Sequence, residues 1–143
     1  MKVLCIGHSS WDITVPVDDY PTENTKYRYN EKYAAGGGPA GNAAYLLGKW
    51  GVDTVIATSI GSDDFGSKIK KEFQEVNVNT DYVETSYDKD TSFSFILVNK
   101  KNGYRTVFNV ATEHPPLKKL NYEFTPDIIF VDGHDYGASQ NAL

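Results

Sequence analysis

Ala35-Gly36-Gly37-Gly38-Pro39-Ala40-Gly41-Asn42-Ala43-Ala44 concentrates more backbone freedom than any other stretch of the chain. Glycine reaches positive φ and lets other groups approach the main chain closely. Proline presets φ near the helical value and suits a first helical turn. Ala43, Leu46, Leu47 and Trp50 then recur at helical spacing, which predicts a helix carrying them on its apolar face. The stretch is therefore expected to be a glycine-rich loop feeding a helix N-terminus. Free N–H groups and the positive end of the helix dipole would point outward there. Such an end can take an anion or a set of hydroxyls.

Working outward, the 143 residues suggest one domain. A chain of this size buries roughly 70% of its unfolded surface, so it can hold a core without staples. Net charge is −5, and the only arginines are Arg28 and Arg105. Nucleic-acid binders concentrate Lys and Arg on one face, so a nucleic-acid partner is not expected. Cys5 is the only cysteine, which excludes a disulfide framework and a thiolate metal cluster. It sits in an apolar run and is expected to be a small buried residue. The N-terminal apolar run is too short for a signal peptide, and no run approaches the ~20 residues of a membrane span. A soluble, cytoplasmic protein is expected, with no membrane partner.

Val3 to Ile6, Thr54 to Ile60 and Asp127 to Val131 are apolar runs that predict core strands. Asp12 to Val17 alternates and contains Pro16, which predicts a strand at or near a sheet edge. Lys26 to Tyr33 alternates Tyr27, Tyr29 and Tyr33 with polar residues, predicting a half-exposed strand. Its tyrosines, with Tyr20, would pack a lid or meet a second subunit. Ser62 or Asp63 is expected to cap a helix running to about Glu75, with Lys68, Lys70, Lys71 and Glu72 on its solvated face. Val78 to Thr85 predicts a short strand. Ser92 to Val98 and Tyr104 to Phe108 flank Asn102-Gly103, a hairpin signal, with Phe93 and Phe95 on one face. Ala138 to Leu143 begins a helix. The order predicts an α/β sheet plus a smaller set of β strands contributed from between core elements.

Two phosphate loops can be tested against the glycines. A Walker A loop requires Gly-Lys-Ser/Thr, but Gly48-Lys49 is followed by Trp50. A dinucleotide fingerprint is nominally met by Gly36, Gly38 and Gly41, with Asp63 about twenty residues on. It follows a polar strand rather than a buried one and contains Pro39.

Gly37-Gly38-Pro39-Ala40-Gly41-Asn42-Ala43-Ala44, with Gly51 and Gly61 at their offsets, resembles the first sequence pattern of the ribokinase-like (PfkB) carbohydrate kinases. Gly7 with Asp12 resembles that family's first strand and substrate aspartate. Ile60 to Gly66 resembles its strand-to-helix turn, and Asn102 to Thr106 its lid hairpin. Ile129 to His134 resembles the strand ending beside the sugar. The resemblance covers the whole chain. It implies a ribokinase-like α/β fold, a partial Rossmann-like sandwich with lid strands at about 12–35 and 91–110. Members are considerably longer, and the Gly-Ala-Gly-Asp catalytic turn is not in this sequence. Residues 1–143 are thus expected to be the N-terminal substrate-binding half, truncated before the nucleotide-binding half and inactive alone.

The resemblance implies ATP-dependent phosphorylation of a sugar hydroxyl, with ATP and Mg²⁺ as cofactors and a sugar or nucleoside-like substrate. Catalytic residues are expected outside this chain. Asp12 would accept hydrogen bonds from two hydroxyls, since an ionised carboxylate only accepts. Gly37 and Gly38 would let the main chain touch the sugar and hinge the lid. Asn42 would offer a donor and an acceptor, or else cap the helix. Asp132 would contact the sugar or orient its neighbours. Arg105 could meet a substrate charge or a partner subunit. Ser10 occupies a position of a polar sugar ligand. His8, His114 and His134 lack metal-like spacing, no metal ligand is assigned, and His134 is expected to be structural. A homodimer through the lid strands is expected; the alternative is a non-catalytic binding or dimerisation fragment of the same fold.

Overall fold

The structure, a computed structural model, describes residues 1–119 and 121–142. The apolar runs form β1 (Lys2–Ile6), β4 (Asp53–Gly61) and β8 (Ile128–Val131), joined by β5 (Asn79–Ser86) in one all-parallel sheet of order β5-β4-β1-β8. Alternation along β1 feeds two cores. Val3 and Cys5 pack with Ile56 and Ile60 beneath helices α1 (Pro39–Lys49) and α2 (Asp64–Glu75). Leu4 and Ile6 pack with Val55 and Ala57 beneath Leu117, Tyr122, Phe124 and α3 (Tyr136–Ala142). Both faces are covered along β1 and β4, but β8, at the sheet edge, leaves Ile128 48%, Phe130 38% and Val131 39% exposed. Burial pushes the Cys5 thiol up to about 12, so the cysteine is a packing residue, as expected. The expected C-terminal helix starts at Tyr136; Leu143 lies outside the described residues.

The second sheet has order β3-β2-β6-β7, from β2 (Ser10–Val17), β3 (Tyr33–Gly37), β6 (Phe93–Asn99) and β7 (Arg105–Val110). The hairpin expected at Asn102-Gly103 is present, but with a loop from Lys100 to Tyr104. Gly103 takes φ 74 and donates to Asn99 O. The strand expected over 26–33 is not formed; residues 20–32 run as exposed loop and β3 begins at Tyr33. Pro16 supplies the reason. The Trp11 N–H points to β6, donating to Ser92 O, so by alternation Pro16 faces the β3 side, where it has no N–H to give. Pairing with β3 accordingly stops at Thr14–Tyr33.

The face expected on α1 is only partly the packed one: Ala43 and Leu47 meet the core. Ala40, Gly41, Ala44 and Gly48 are buried, whereas Leu46 is 43% and Trp50 69% exposed. The helix sits so close to its neighbours that only small residues fit. A Cβ on Gly48 would lie 2.5 Å from Val78 Cγ2, and one on Gly41 3.1 Å from Ser9 Oγ. Asp63 is the N-cap of α2, its side chain accepting from Gly66 N at 2.8 Å.

Candidate functional site

Gly36 and Gly37 close strand β3 rather than forming a loop, and Gly38 (φ 85) is the N-cap of α1 with Pro39 following. The amides after Pro39 are not free. Ala40 N donates to Asp132 Oδ2 at 3.1 Å, Gly41 N to His8 O at 3.2 Å and Asn42 N to Gly38 O at 2.9 Å. Asp132 also accepts from His8 N (2.8 Å) and His134 N (2.9 Å), and His134 Nδ1 lies 3.1 Å from its Oδ1. Its side chain is only 2% exposed. One carboxylate thus ties together the ends of β1 and β8 and the positive end of α1. No first-turn N–H is left for a phosphate, so neither an anion cradle nor the dinucleotide fingerprint fits. Asp63 is equally committed. Burial opposes its charge, but bonds from Thr91 Oγ1 and N and from Gly66 N hold its carboxyl below the usual value. It is not a ribose ligand.

The second sheet carries a separate set of polar side chains. Asp12 pairs with Ala35 and Ser94, and Ser94 pairs with Asn109, so Asp12, Ser94 and Asn109 form one polar rung. Ser10 Oγ donates to Asp12 Oδ1 at 3.1 Å, and Asn109 Nδ2 to Ser94 Oγ at 3.1 Å. A Cβ on Gly37 would overlap the Asp12 carboxylate. The glycine therefore makes room for the acid. The rung sets an acceptor-only carboxylate beside groups that both donate and accept.

The sequence profile described as "pfkB family carbohydrate kinase" matches residues 1–125. The chain belongs to the pfkB carbohydrate kinase family. It is 29% identical over 99 residues to an ATP-dependent ribose-1-phosphate kinase of Halopiger xanaduensis, covering 69% of this chain and 33% of that one. It is 28% identical over 122 residues to ketohexokinase of Mus musculus, covering 85% and 41%. Among solved structures, ribokinase from Giardia lamblia superposes with TM-score 0.69 at 21% identity, covering 76% of this chain and 35% of that one. Arabidopsis thaliana ribokinase complexed with ribose and ATP gives 0.65 at 22% identity, covering 76% and 35%. These superpositions establish the ribokinase-like fold. The chain spans between 33% and 41% of the length of the two curated relatives named.

Within this pfkB family chain, the expected site residues divide. Asp12, Ser10, Gly37 and Gly38 come together where β2 and β3 meet α1. Asn42 lies one turn into α1, exposed, and makes no side-chain cap, so the capping role does not apply. Asp132 is the organiser of its neighbours: its oxygens are already taken up by three amides and an imidazole. Arg105 is apart. It pairs with Val98, four residues along β6 from Ser94 and so about 13 Å from the Asp12 rung.

Sequence reasoning missed Ser94 and Asn109. The signal was the alternation Ser92-Phe93-Ser94-Phe95, whose serines take the face opposite the phenylalanines. It also missed Glu72, placed on the solvated face of α2, which turns in to accept from Gly36 N at 2.8 Å. His8, His114 and His134 line one cavity of about 390 Å³ at the strand ends, and His8 stacks on His134 at 4.8 Å. Burial first, then the His134 charge, lowers the His8 pKa; burial likewise lowers that of His114. Among the described residues no group of three or more side chains could hold a metal ion. No described helix is long and apolar enough to cross a membrane.

Proposed function

We propose that this chain supplies the substrate-recognition and lid half of an ATP-dependent kinase that phosphorylates a hydroxyl of a sugar or nucleoside-like substrate. The observation that carries this is the Asp12–Ser94–Asn109 rung, oriented by Ser10. Asp12 accepts from two substrate hydroxyls, and each charge-assisted bond is worth about 1.5–3 kcal/mol. Gly37 and Gly38 let the main chain approach the ligand and hinge the lid. Asn42, uncommitted to capping, offers both donor and acceptor. Arg105 meets a charge on a longer substrate or on a partner subunit. Asp132 keeps β1, β8 and α1 in register beneath the ligand. Closure of the second sheet over the substrate excludes water.

ATP with Mg²⁺ is the phosphoryl donor this function requires. The described residues do not fit either group: the α1 amides are paired internally and no acidic or histidine cluster suits a metal. The role of this chain is therefore binding and positioning, with cytoplasmic localisation and a homodimer through the lid strands completing the proposal. The alternative is a non-catalytic module dimerising through the same sheet, favoured by an apolar groove of about 780 Å³ lined by Val15, Phe95, Leu97 and Phe108.

Titration calorimetry with D-ribose, D-fructose and adenosine tests the binding site in a version of the protein that carries its nucleotide half. One of these is expected to bind, and Asp12→Ala is expected to abolish that binding. Undiminished affinity in the variant would remove Asp12 from the site.

A further inference from the structure

Glu72 is the one acidic side chain on α2 that reaches the second sheet in a described hydrogen bond, Gly36 N to Glu72 Oε2 at 2.8 Å. The helix holds it rigidly there, because its neighbours Ile69 and Phe73 are buried in the core. The amide it captures is special. Trp11 points its own N–H to β6, so the Trp11–Gly36 pair is a non-hydrogen-bonded one. The Gly36 N–H therefore faces outward from the open edge of β3, where nothing in the sheet can pair it. A Cβ at Gly36 would come 2.8 Å from Glu72 Oε2, so glycine is the residue that lets the carboxylate close in.

Trp11 and Phe93 pack the inner strands of the second sheet on Phe65 of α2, but the β3 corner is less filled. A cavity of about 280 Å³ lies between β3, α1 and α2, walled by Gly36, Gly37, Asn42, Tyr45, Glu72 and Phe73. The strand end thus has room to move, and Gly38 at positive φ follows it immediately. We propose that the Glu72–Gly36 bond is a latch that sets the angle of the β3-β2-β6-β7 sheet against the parallel sheet. Glu72 is then a positioning residue for the site: breaking the latch frees the edge on which Gly37 and Asp12 meet. Calling the moving sheet a lid rests on the kinase function proposed above; the latch itself does not.

Amide hydrogen exchange on the 143-residue chain tests it. Glu72→Ala should speed exchange at Gly36 by about tenfold or more, with Leu4 and Ile56 unchanged. Glu72→Gln, whose amide oxygen can still accept, should restore most of the protection. Residual dipolar couplings should show the two sheets sharing one alignment in the wild type and diverging in Glu72→Ala. Unchanged Gly36 exchange overturns the latch. So does equal acceleration at Leu4 and Ile56, which would make Glu72 a general stability residue. The kinase function fails separately, through absent sugar binding in the complete protein with Gly36 protection intact.

Discussion

Asp132 shows how much one side chain can carry. Its two oxygens receive three amides and the His134 ring nitrogen, from three separate elements, at a point almost closed to water. Asparagine is nearly isosteric but replaces one acceptor oxygen with a donor, which would face amides that also donate. Asp132→Asn is therefore expected to cost about 3 kcal/mol, since a buried donor is left unpaired and charge-assisted bonds are lost. Urea unfolding of the chain measures it; a change below about 0.5 kcal/mol, the range of surface substitutions, would contradict the clasp. Asp12 is a contrasting carboxylate. Its one described partner is Ser10 Oγ, which leaves acceptor capacity for a ligand. From sequence the two aspartates were both candidate sugar ligands, each at the end of or within an apolar strand. Only the spatial convergence of His8, Ala40 and His134 separates the fully engaged Asp132 from Asp12, which has one described partner.

At the scale of elements, hydrophobic periodicity located α1 and part of its packed side: Ala43 and Leu47 meet the core, whereas Leu46 and Trp50 face outward. Residue size decided the matter: the helix approaches the 76–78 segment so closely that Gly48 is needed. Alanine would gain about 1 kcal/mol of helix propensity there, yet its Cβ would press on Val78 and on Val76 O at 2.7 Å. Gly48→Ala is thus expected to be a net loss of about 1–3 kcal/mol, as overpacked sites are. Trp50→Lys, on the face that periodicity favoured, is expected to change stability by less than about 0.5 kcal/mol. Thermal melts of both variants check the pair, and a reversed order would refute the small-residue contact. The three apolar strands, by contrast, were legible as strands because β-branched and apolar runs have few other destinations; β1 and β4 are core, whereas β8 lies at the sheet edge with Ile128, Phe130 and Val131 exposed. The strand expected at 26–33 was not legible, because its alternation is local whereas the proline that ends its pairing lies on β2.

Over the whole molecule, the second sheet has two unlike faces. One end of its aromatic face packs Trp11 and Phe93 against Phe65 of α2. Farther out, Phe95 and Phe108 are exposed beside Tyr27 and Tyr29, which stack on each other at 6.2 Å and line the same groove. Of the tyrosines expected at a lid or an interface, Tyr27 and Tyr29 thus line this opening, while Tyr33 is 63% exposed outside it. If the proposed homodimer forms through this face, sedimentation will show a concentration-dependent dimer that Phe108→Asp reduces to monomer. A wild type that remains monomeric, or a variant that dimerises equally well, would exclude that face.

The sequence by itself determined the family, the parallel core, the two-part α/β organisation and the glycine-to-helix junction. These rest on local signals: apolar runs, spaced glycines, and a proline at the first helical turn. Only the tertiary structure decided what the glycine stretch is for. In sequence it offered free helix-end amides. In the fold Asp132, 92 residues from Ala40, has already claimed one of them, and the His8 carbonyl another. The glycines instead admit side chains: Gly37 makes room for Asp12 and Gly36 for Glu72. Which groups fill the space beside a missing Cβ depends on elements distant in the chain, and no local pattern carries that information.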